Sequence, residues 1–258
     1  RFTGWIGWAV AWLIVPLVVA VTYEVVARYV FDAPTIWAYD VSYMLYATIF
    51  MLGANSMETQ NNLYLNHMVP GLQGGAKMVV VDPRRTLTIA SSEQYAGPEN
   101  VLHLAIKEGT DLALCNAILT EIVDRGWIDA EFIAASTFPE GVAVAEDEAH
   151  PASLGSLEHA MQSCRLSLDE AAEICGVPAA DIAKAAEWIA KPKDDGSRRK
   201  CVTCYEKGII WGNDNYRTIG ALVNLALATG NIGREGGGCC RLGGHQEGYF
   251  RPGDGHVG

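Results

Sequence analysis

The chain has 258 residues, 50% of them hydrophobic and 19% charged, and its 19 Lys and Arg against 30 Asp and Glu give a formal net charge of −11. This length and apolar content exclude a disordered chain and allow a domain with a substantial core. The acidic balance excludes the basic face of a nucleic-acid binder, so no nucleic-acid partner is expected.

Charge is unevenly placed. Residues 1–54 hold only Arg1, Glu24, Arg28, Asp32 and Asp40, and every other charged side chain follows. Phe2 to Tyr23 is a run of 22 uncharged residues. At about 1.5 Å per residue it is long enough to cross a hydrocarbon core of roughly 30 Å. Trp5, Trp8 and Trp12 near one end, with Tyr23 and Tyr29 near the other, suit an interfacial aromatic belt. Pro16 is tolerated in a membrane helix. A signal peptide fits less well, because the run is long for its apolar region and no Ala-x-Ala cleavage site follows. A second run, Val41 to Met57, has 17 uncharged residues and is a short span. Between them Asp32-Ala33-Pro34-Thr35 reads as a turn, since Pro34 biases Ala33 away from helix. Asp40 then sits near the start of the second helix, where the dipole favours an anion. Two transmembrane helices over residues 1–54, with membrane lipid as their partner, are the expectation.

From residue 55 onward the chain reads as an α/β domain. Lys77–Val81 is a short β-branched run closing at Asp82-Pro83, as buried parallel strands do. An acidic residue at the carboxyl end of such a strand is placed to read a nucleotide's ribose or base edge. Val101–Leu104 is a second strand candidate. Gly109-Thr110-Asp111 precedes a helix over Leu112–Arg125, with Thr110 or Asp111 as its cap. That helix start is a candidate phosphate or nucleotide site. Leu168–Cys175 and Ala179–Ala190 read as amphipathic helices, Lys191–Arg199 as a surface loop, Cys201–Ile210 as a strand and Ile219–Ala228 as an apolar helix stopped by Gly230. Alternating strands and helices indicate an open, Rossmann-like sheet.

The carboxyl-terminal stretch is glycine-rich from Gly230 to Gly248, with Arg234, Arg241 and His245 among the glycines. Clustered backbone N–H groups beside Arg suit an anionic, phosphate-bearing cofactor. The chain has seven cysteines. Cys201-x-x-Cys204 lacks a second pair at zinc-ligand spacing, Cys239-Cys240 is no better, and the odd count argues against a disulfide framework. Buried thiols are expected, and no protein metal ligand.

Two resemblances emerge from these residues. Tyr23-Glu24-Val25-Val26-Ala27-Arg28-Tyr29-Val30-Phe31, followed by Ala33-Pro34-Thr35-Ile36-Trp37 and Asp40, resembles the small membrane subunit of tripartite (TRAP) transporters. The second rests on Gly53-Ala54-Asn55-Ser56-Met57-Glu58, Val81-Asp82-Pro83-Arg84-Arg85-Thr86, Gly109-Thr110-Asp111, Tyr205-Glu206-Lys207-Gly208-Ile209-Ile210-Trp211-Gly212-Asn213-Asp214-Asn215-Tyr216 and Gly238-Cys239-Cys240-Arg241-Leu242-Gly243-Gly244-His245-Gln246-Glu247-Gly248-Tyr249. In this order they resemble the catalytic subunit of arsenite oxidases, molybdenum enzymes of the dimethyl-sulfoxide-reductase superfamily.

That resemblance implies a molybdopterin guanine dinucleotide with molybdenum. It implies cofactor contacts from Ala54, Asn55, Asp82, Arg84, Gly109, Thr110, Asp111, Lys207, Gly208, Trp211, Gly212, Asn213, Gly243, Gly244 and Gln246. It places Glu58, Arg241 and His245 at the arsenite pocket, and Ala54 where relatives carry a protein ligand to the metal. It further implies a Rieske-type small subunit as partner and a periplasmic setting. No iron–sulfur cluster is expected in this chain, because the family's Cys-rich segment has no counterpart before Gly53. With the join near Gly53, the chain reads as a fusion of two unrelated genes, the enzyme portion incomplete. The alternative is a transporter fragment with a passenger domain.

Overall fold

A computed structural model of the chain describes residues 48–137 and 157–243. The first apolar run, the turn at Asp32–Thr35, Gly244, His245 and Gln246 lie outside the described residues.

The architecture is a five-stranded, all-parallel sheet in the order β3-β2-β1-β4-β5. Its strands are β1 (Thr48–Leu52), β2 (Lys77–Val81), β3 (Val101–Leu104), β4 (Cys201–Tyr205) and β5 (Gly238–Arg241). The central strand, β1, corrects the sequence reading. Its residues fall inside the expected second membrane helix, yet Thr48–Leu52 pair in register with Lys77–Val81 on one side and with Cys201–Tyr205 on the other. All five β1 residues are buried. A strand covered on both faces is apolar throughout and carries no polar alternation to distinguish it from a membrane segment. Among the described residues no helix is long and apolar enough to cross a membrane.

Side chains alternate across the sheet and feed two cores. Phe50, Leu52, Val79, Val81, Leu102 and Leu104 face one helical layer, whereas Ile49, Met51, Met78 and Val80 face the other. The first layer is built from α5 (Asp111–Asp124), α8 (Leu168–Cys175), α9 (Ala179–Ala190) and α11 (Asn215–Ala228). On the opposite face the chain runs from β1 to β2 through α1 (Ser56–Thr59), α2 (Asn61–Leu63), a π-helical turn (Tyr64–Met68) and α3 (Val69–Gln73), and from β2 to β3 through α4 (Leu87–Ala96). Tyr64, Met68, Leu72 and Ile89 from these elements close the second core, and the Tyr64 hydroxyl is hydrogen-bonded to Ser92 at 2.8 Å. Two short helices, α6 (Ala130–Ser136) and α7 (Leu157–Ser163), lie between α5 and α8 in the chain.

Local sequence explains several boundaries. Ser167 and Glu170 form a reciprocal capping box that starts α8, a device worth about 1 kcal/mol. Lys191–Arg199 is the loop between α9 and β4, as expected. The strand expected over Cys201–Ile210 is shorter: it ends at Tyr205, and α10 (Lys207–Ile210) follows. Part of the glycine-rich stretch forms the edge strand β5.

Candidate functional site

The chain leaves β1 toward β2 and β3 on one side, then returns across the sheet to β4 and β5 on the other. The carboxyl ends of β1 and β4 therefore flank a topological switch point, where open α/β sheets form their ligand crevices. Two glycines meet there. Gly208 N–H donates to the Gly53 carbonyl at 3.1 Å. A Cβ on Gly208 would stand 2.6 Å from Gly53 Cα, and Gly53 itself has φ +58. No side chain fits between the strand ends, so the backbone itself is the floor.

Above that floor lies a cleft of about 600 Å³. Gly53, Ala54 and Asn55 line it from the end of β1, and Gly208 from beyond β4. Val81, Asp82, Pro83 and Arg84 line it from the end of β2, with Ile106, Glu108, Gly109 and Asp111 from the loop between β3 and α5. Asp82 is 7% exposed, and its carboxylate accepts the Arg84 backbone N–H at 2.8 Å, which fixes its direction. His103 contacts the Asp82 carbonyl oxygen at 2.8 Å. Burial raises the Asp111 carboxyl above its ordinary value; its own backbone N–H offsets part of this, and the nearby Asp82 charge adds to the rise.

Asn55 ties the β1 end to α4. Its Oδ1 accepts from the Thr88 hydroxyl at 2.8 Å, and its amide donates to the Glu58 carboxylate. Thr110 lies at the start of α5 but does not cap it with its side chain; the hydroxyl instead donates to the Lys107 carbonyl at 2.6 Å. Asp111 occupies the first turn, so a carboxylate already sits at the positive end of that helix.

The residues read from sequence thus divide. Ala54, Asn55, Asp82, Arg84, Gly109, Asp111 and Gly208 come together in the cleft. Glu58 is exposed in α1 and is not among the lining residues. Lys207 lies over the Trp211 ring at 5.4 Å, Trp211 is 71% exposed, and Gly212 and Asn213 are exposed beyond it. Arg241 sits at the end of β5, 3.4 Å from the carboxylate of Glu206, a residue 4% exposed. The second Glu206 oxygen has no hydrogen-bond partner, and a Cβ on Gly243 would come within 2.2 Å of it. Asp82 and Asp111 share a cavity; Arg241 does not line it. The sequence did not mark Glu108 or Ile106, and marked Pro83 only as the end of a strand, although Glu108 adjoins Gly109 and Pro83 lies between Asp82 and Arg84. Among the described residues no group of three or more His, Cys, Asp or Glu could hold a metal ion.

Comparison with known proteins extends this picture. A family model described as molybdopterin oxidoreductase matches residues 38–248. The chain is 43% identical over 220 residues to arsenite oxidase subunit AioA of Herminiimonas arsenicoxydans, covering 79% of this chain and 24% of that protein. It is 34% identical over 220 residues to iodate reductase subunit IdrA of Pseudomonas sp. (strain SCT), again covering 79% and 24%. Acetylene hydratase from Pelobacter acetylenicus shares the fold, with a TM-score of 0.54 at 18% identity, over 78% of this chain and 25% of that one. The chain spans about a quarter of the length of these relatives. The family match starts at residue 38, ahead of the join expected near Gly53, and Thr48–Leu52, expected to belong to a transporter-like membrane segment, form the central strand of this domain's sheet. The chain belongs to the molybdopterin oxidoreductase family, and with that family comes a molybdenum–molybdopterin cofactor.

Proposed function

We propose that the cleft takes the nucleotide end of a molybdopterin guanine dinucleotide and that the complete enzyme oxidises arsenite to arsenate. The supporting observation is the convergence of Asp82 and Asp111 on one cleft over the Gly53–Gly208 floor. The residues present fit such a group. Two carboxylates offer acceptors for base N–H or ribose O–H donors, and the largely exposed Arg84 offers a cation at the rim. A cleft of about 600 Å³ is of ligand-site size.

When bound, the molybdenum cofactor supplies the two-electron redox and oxygen-transfer chemistry. In this reading Arg241 balances the oxyanion charge of the product, with Glu58 and His245 lining the pocket and His245 orienting substrate or moving a proton. The arsenite assignment draws on the 43% identity to AioA; the 34% identity to IdrA makes iodate reduction the competing activity. The reading carries a Rieske-type small subunit as electron partner. It also carries attachment to membrane lipid through the uncharged run Phe2–Tyr23.

Calorimetric titration of the full chain with guanosine diphosphate tests the cleft. Saturable binding is expected, weakened roughly 10- to 100-fold by Asp82→Asn and by Asp111→Asn, since one hydrogen bond to a charged group is worth about 1.5–3 kcal/mol. Equal affinity for adenosine diphosphate, or no change in either variant, overturns the nucleotide reading. In the cofactor-loaded complete enzyme, arsenite-dependent reduction of a dye is expected; iodate turnover without it transfers the assignment.

A further inference from the structure

Cys204 and Cys240 are direct register partners on the neighbouring strands β4 and β5. Cys204 joins the Met51 and Met78 side of the core, Cys240 is exposed at the sheet edge, and their sulfurs stand 3.9 Å apart. Neither lines the cleft. In-register residues of parallel strands point the same way, about 4.8 Å apart, so the two thiols are held side by side by the sheet.

Which chemistry does this spacing suit? A disulfide brings sulfurs to about 2.05 Å. Two sulfurs each bonded at about 2.3 Å to one tetrahedral thiophilic centre stand roughly 3.8 Å apart. The observed 3.9 Å is that of two thiols in S–H···S contact, within a few tenths of an ångström of a bridged pair, so one thiophilic centre can join them with little movement. Structural zinc takes four ligands and needs thiolates, and among the described residues no third ligand joins this pair. The neighbouring Cys240 thiol, with burial, also pushes the Cys204 thiol well above its ordinary value and keeps it protonated. A trivalent arsenical needs only two thiols from the protein and consumes them in protonated form.

We propose that Cys204 and Cys240 form a dithiol site for trivalent arsenic, separate from the cleft and independent of the proposed oxidation. Arsenous acid, As(OH)₃, condenses with the two S–H groups to give two As–S bonds. Each thiol proton leaves with one hydroxyl as water, the third hydroxyl stays on arsenic, and arsenic remains trivalent, so no electron is transferred.

The test uses the full chain, reduced, desalted and kept anaerobic so that disulfides cannot form. Phenylarsine oxide, PhAsO, is the probe; its condensation with two thiols releases one water. One phenylarsenic group per chain by intact mass is expected, with loss of two titratable thiols and reversal by a dithiol but not by a monothiol at equal concentration. Cys240→Ser, an exposed position, should weaken binding by roughly 10²-fold, because one arm of the chelate is lost. Cys204→Ser should do the same, and Cys239→Ser and Cys201→Ser should leave it unchanged. Retained binding in folded Cys240→Ser, or loss on changing Cys239 or Cys201 instead, overturns the proposal. Failure of nucleotide binding or of arsenite oxidation leaves this readout untouched, so the two readings fail separately.

Discussion

Replacing Gly208 with alanine puts a methyl group where the two central strands end. The new Cβ would stand 2.6 Å from Gly53 Cα and 3.0 Å from Gly53 O, against the 3.4 Å at which ordinary contact begins. Both obstacles are backbone, so no side chain can rotate away, and β1 and β4 must part by several tenths of an ångström. Overpacking of this kind costs about 1–3 kcal/mol. Lengthening the 3.1 Å bond from Gly208 N–H to Gly53 O adds up to about 1 kcal/mol. The expected loss is about 1–4 kcal/mol. It should be read as a lower urea midpoint at unchanged slope, and as a fall in Tm of roughly 2–16 °C. Gly109→Ala is the control. Gly109 also lines the cleft, at φ +79, but nothing lies within 4 Å of its added Cβ. Only the left-handed backbone penalty of about 1 kcal/mol applies there. A Gly208→Ala chain no less stable than Gly109→Ala would refute the sutured-floor argument.

Asp129 is 3% exposed, accepts Phe132 N–H at 3.0 Å and Arg234 at 2.7 Å, and has Arg198 at 3.3 Å. Asp129→Ala should cost about 2–4 kcal/mol by chemical denaturation, because two cations lose their partner. Burial pushes the Asp129 carboxyl up, but Phe132 N–H, Arg234 and Arg198 outweigh it and hold it below 3.8. Its stabilisation is therefore complete above pH 3.8 and lost as pH falls through the depressed value, so the variant should show a shallower acid transition. Asp111 has the opposite sign. Its folded value is raised above 3.8, so the favourable contribution of its neutral form is full below pH 3.8 and lost as pH rises through the raised value. Asp111→Asn should accordingly be more stable than the parent at pH 7, with the difference vanishing below pH 3.8 in urea titrations. Arg241→Ala leaves Glu206, whose side chain is 5% exposed, buried beside no guanidinium, at a cost of about 2–4 kcal/mol. Adding Glu206→Gln to that variant should restore most of the lost urea midpoint; no recovery would mean that the pair is not what Arg241 stabilises.

Elements with a polar face, or with turn residues at their ends, were legible. The helices Leu168–Cys175 and Ala179–Ala190 and the strands Lys77–Val81 and Val101–Leu104 fall where periodicity and flanking turn residues put them. The helix after Gly109 starts one residue earlier than expected, at Asp111. The errors share a cause. Thr48–Leu52 is sandwiched between two helical layers, so its uniform apolarity reports burial and not its medium. Gly238–Arg241 lies at a sheet edge, where β4 supplies the pairing that the local glycines do not predict. The cleft residues Asp82, Gly109 and Asp111 were found because short motifs bracket strand ends. Glu58 and Arg241 carried the same kind of motif signal; Asn55, the partner of Glu58, lies only three residues away, whereas Glu206, the partner of Arg241, is a tertiary fact that no local spacing encodes.

The electrostatics of the cleft restrict what it can hold. Among its lining residues Asp82, Glu108 and Asp111 are acidic and Arg84 alone is cationic, with 80% of that side chain exposed. Burial, with a smaller addition from the nearby Asp82 charge, already raises the Asp111 carboxyl above its ordinary value. A phosphate placed between them would add a third like charge, and the start of α5 gives little relief, because the Asp111 carboxylate occupies its first turn. Groups that bring N–H or O–H donors gain instead, since each carboxylate oxygen accepts strong hydrogen bonds and the Arg84 N–H holds Asp82 in a fixed direction. Base edges and ribose hydroxyls therefore complement the inner wall, and phosphate charge is tolerated only at the rim beside Arg84. This polarity, donors inward and anion outward, is what separates a nucleotide's base and sugar from a free phosphate as the occupant.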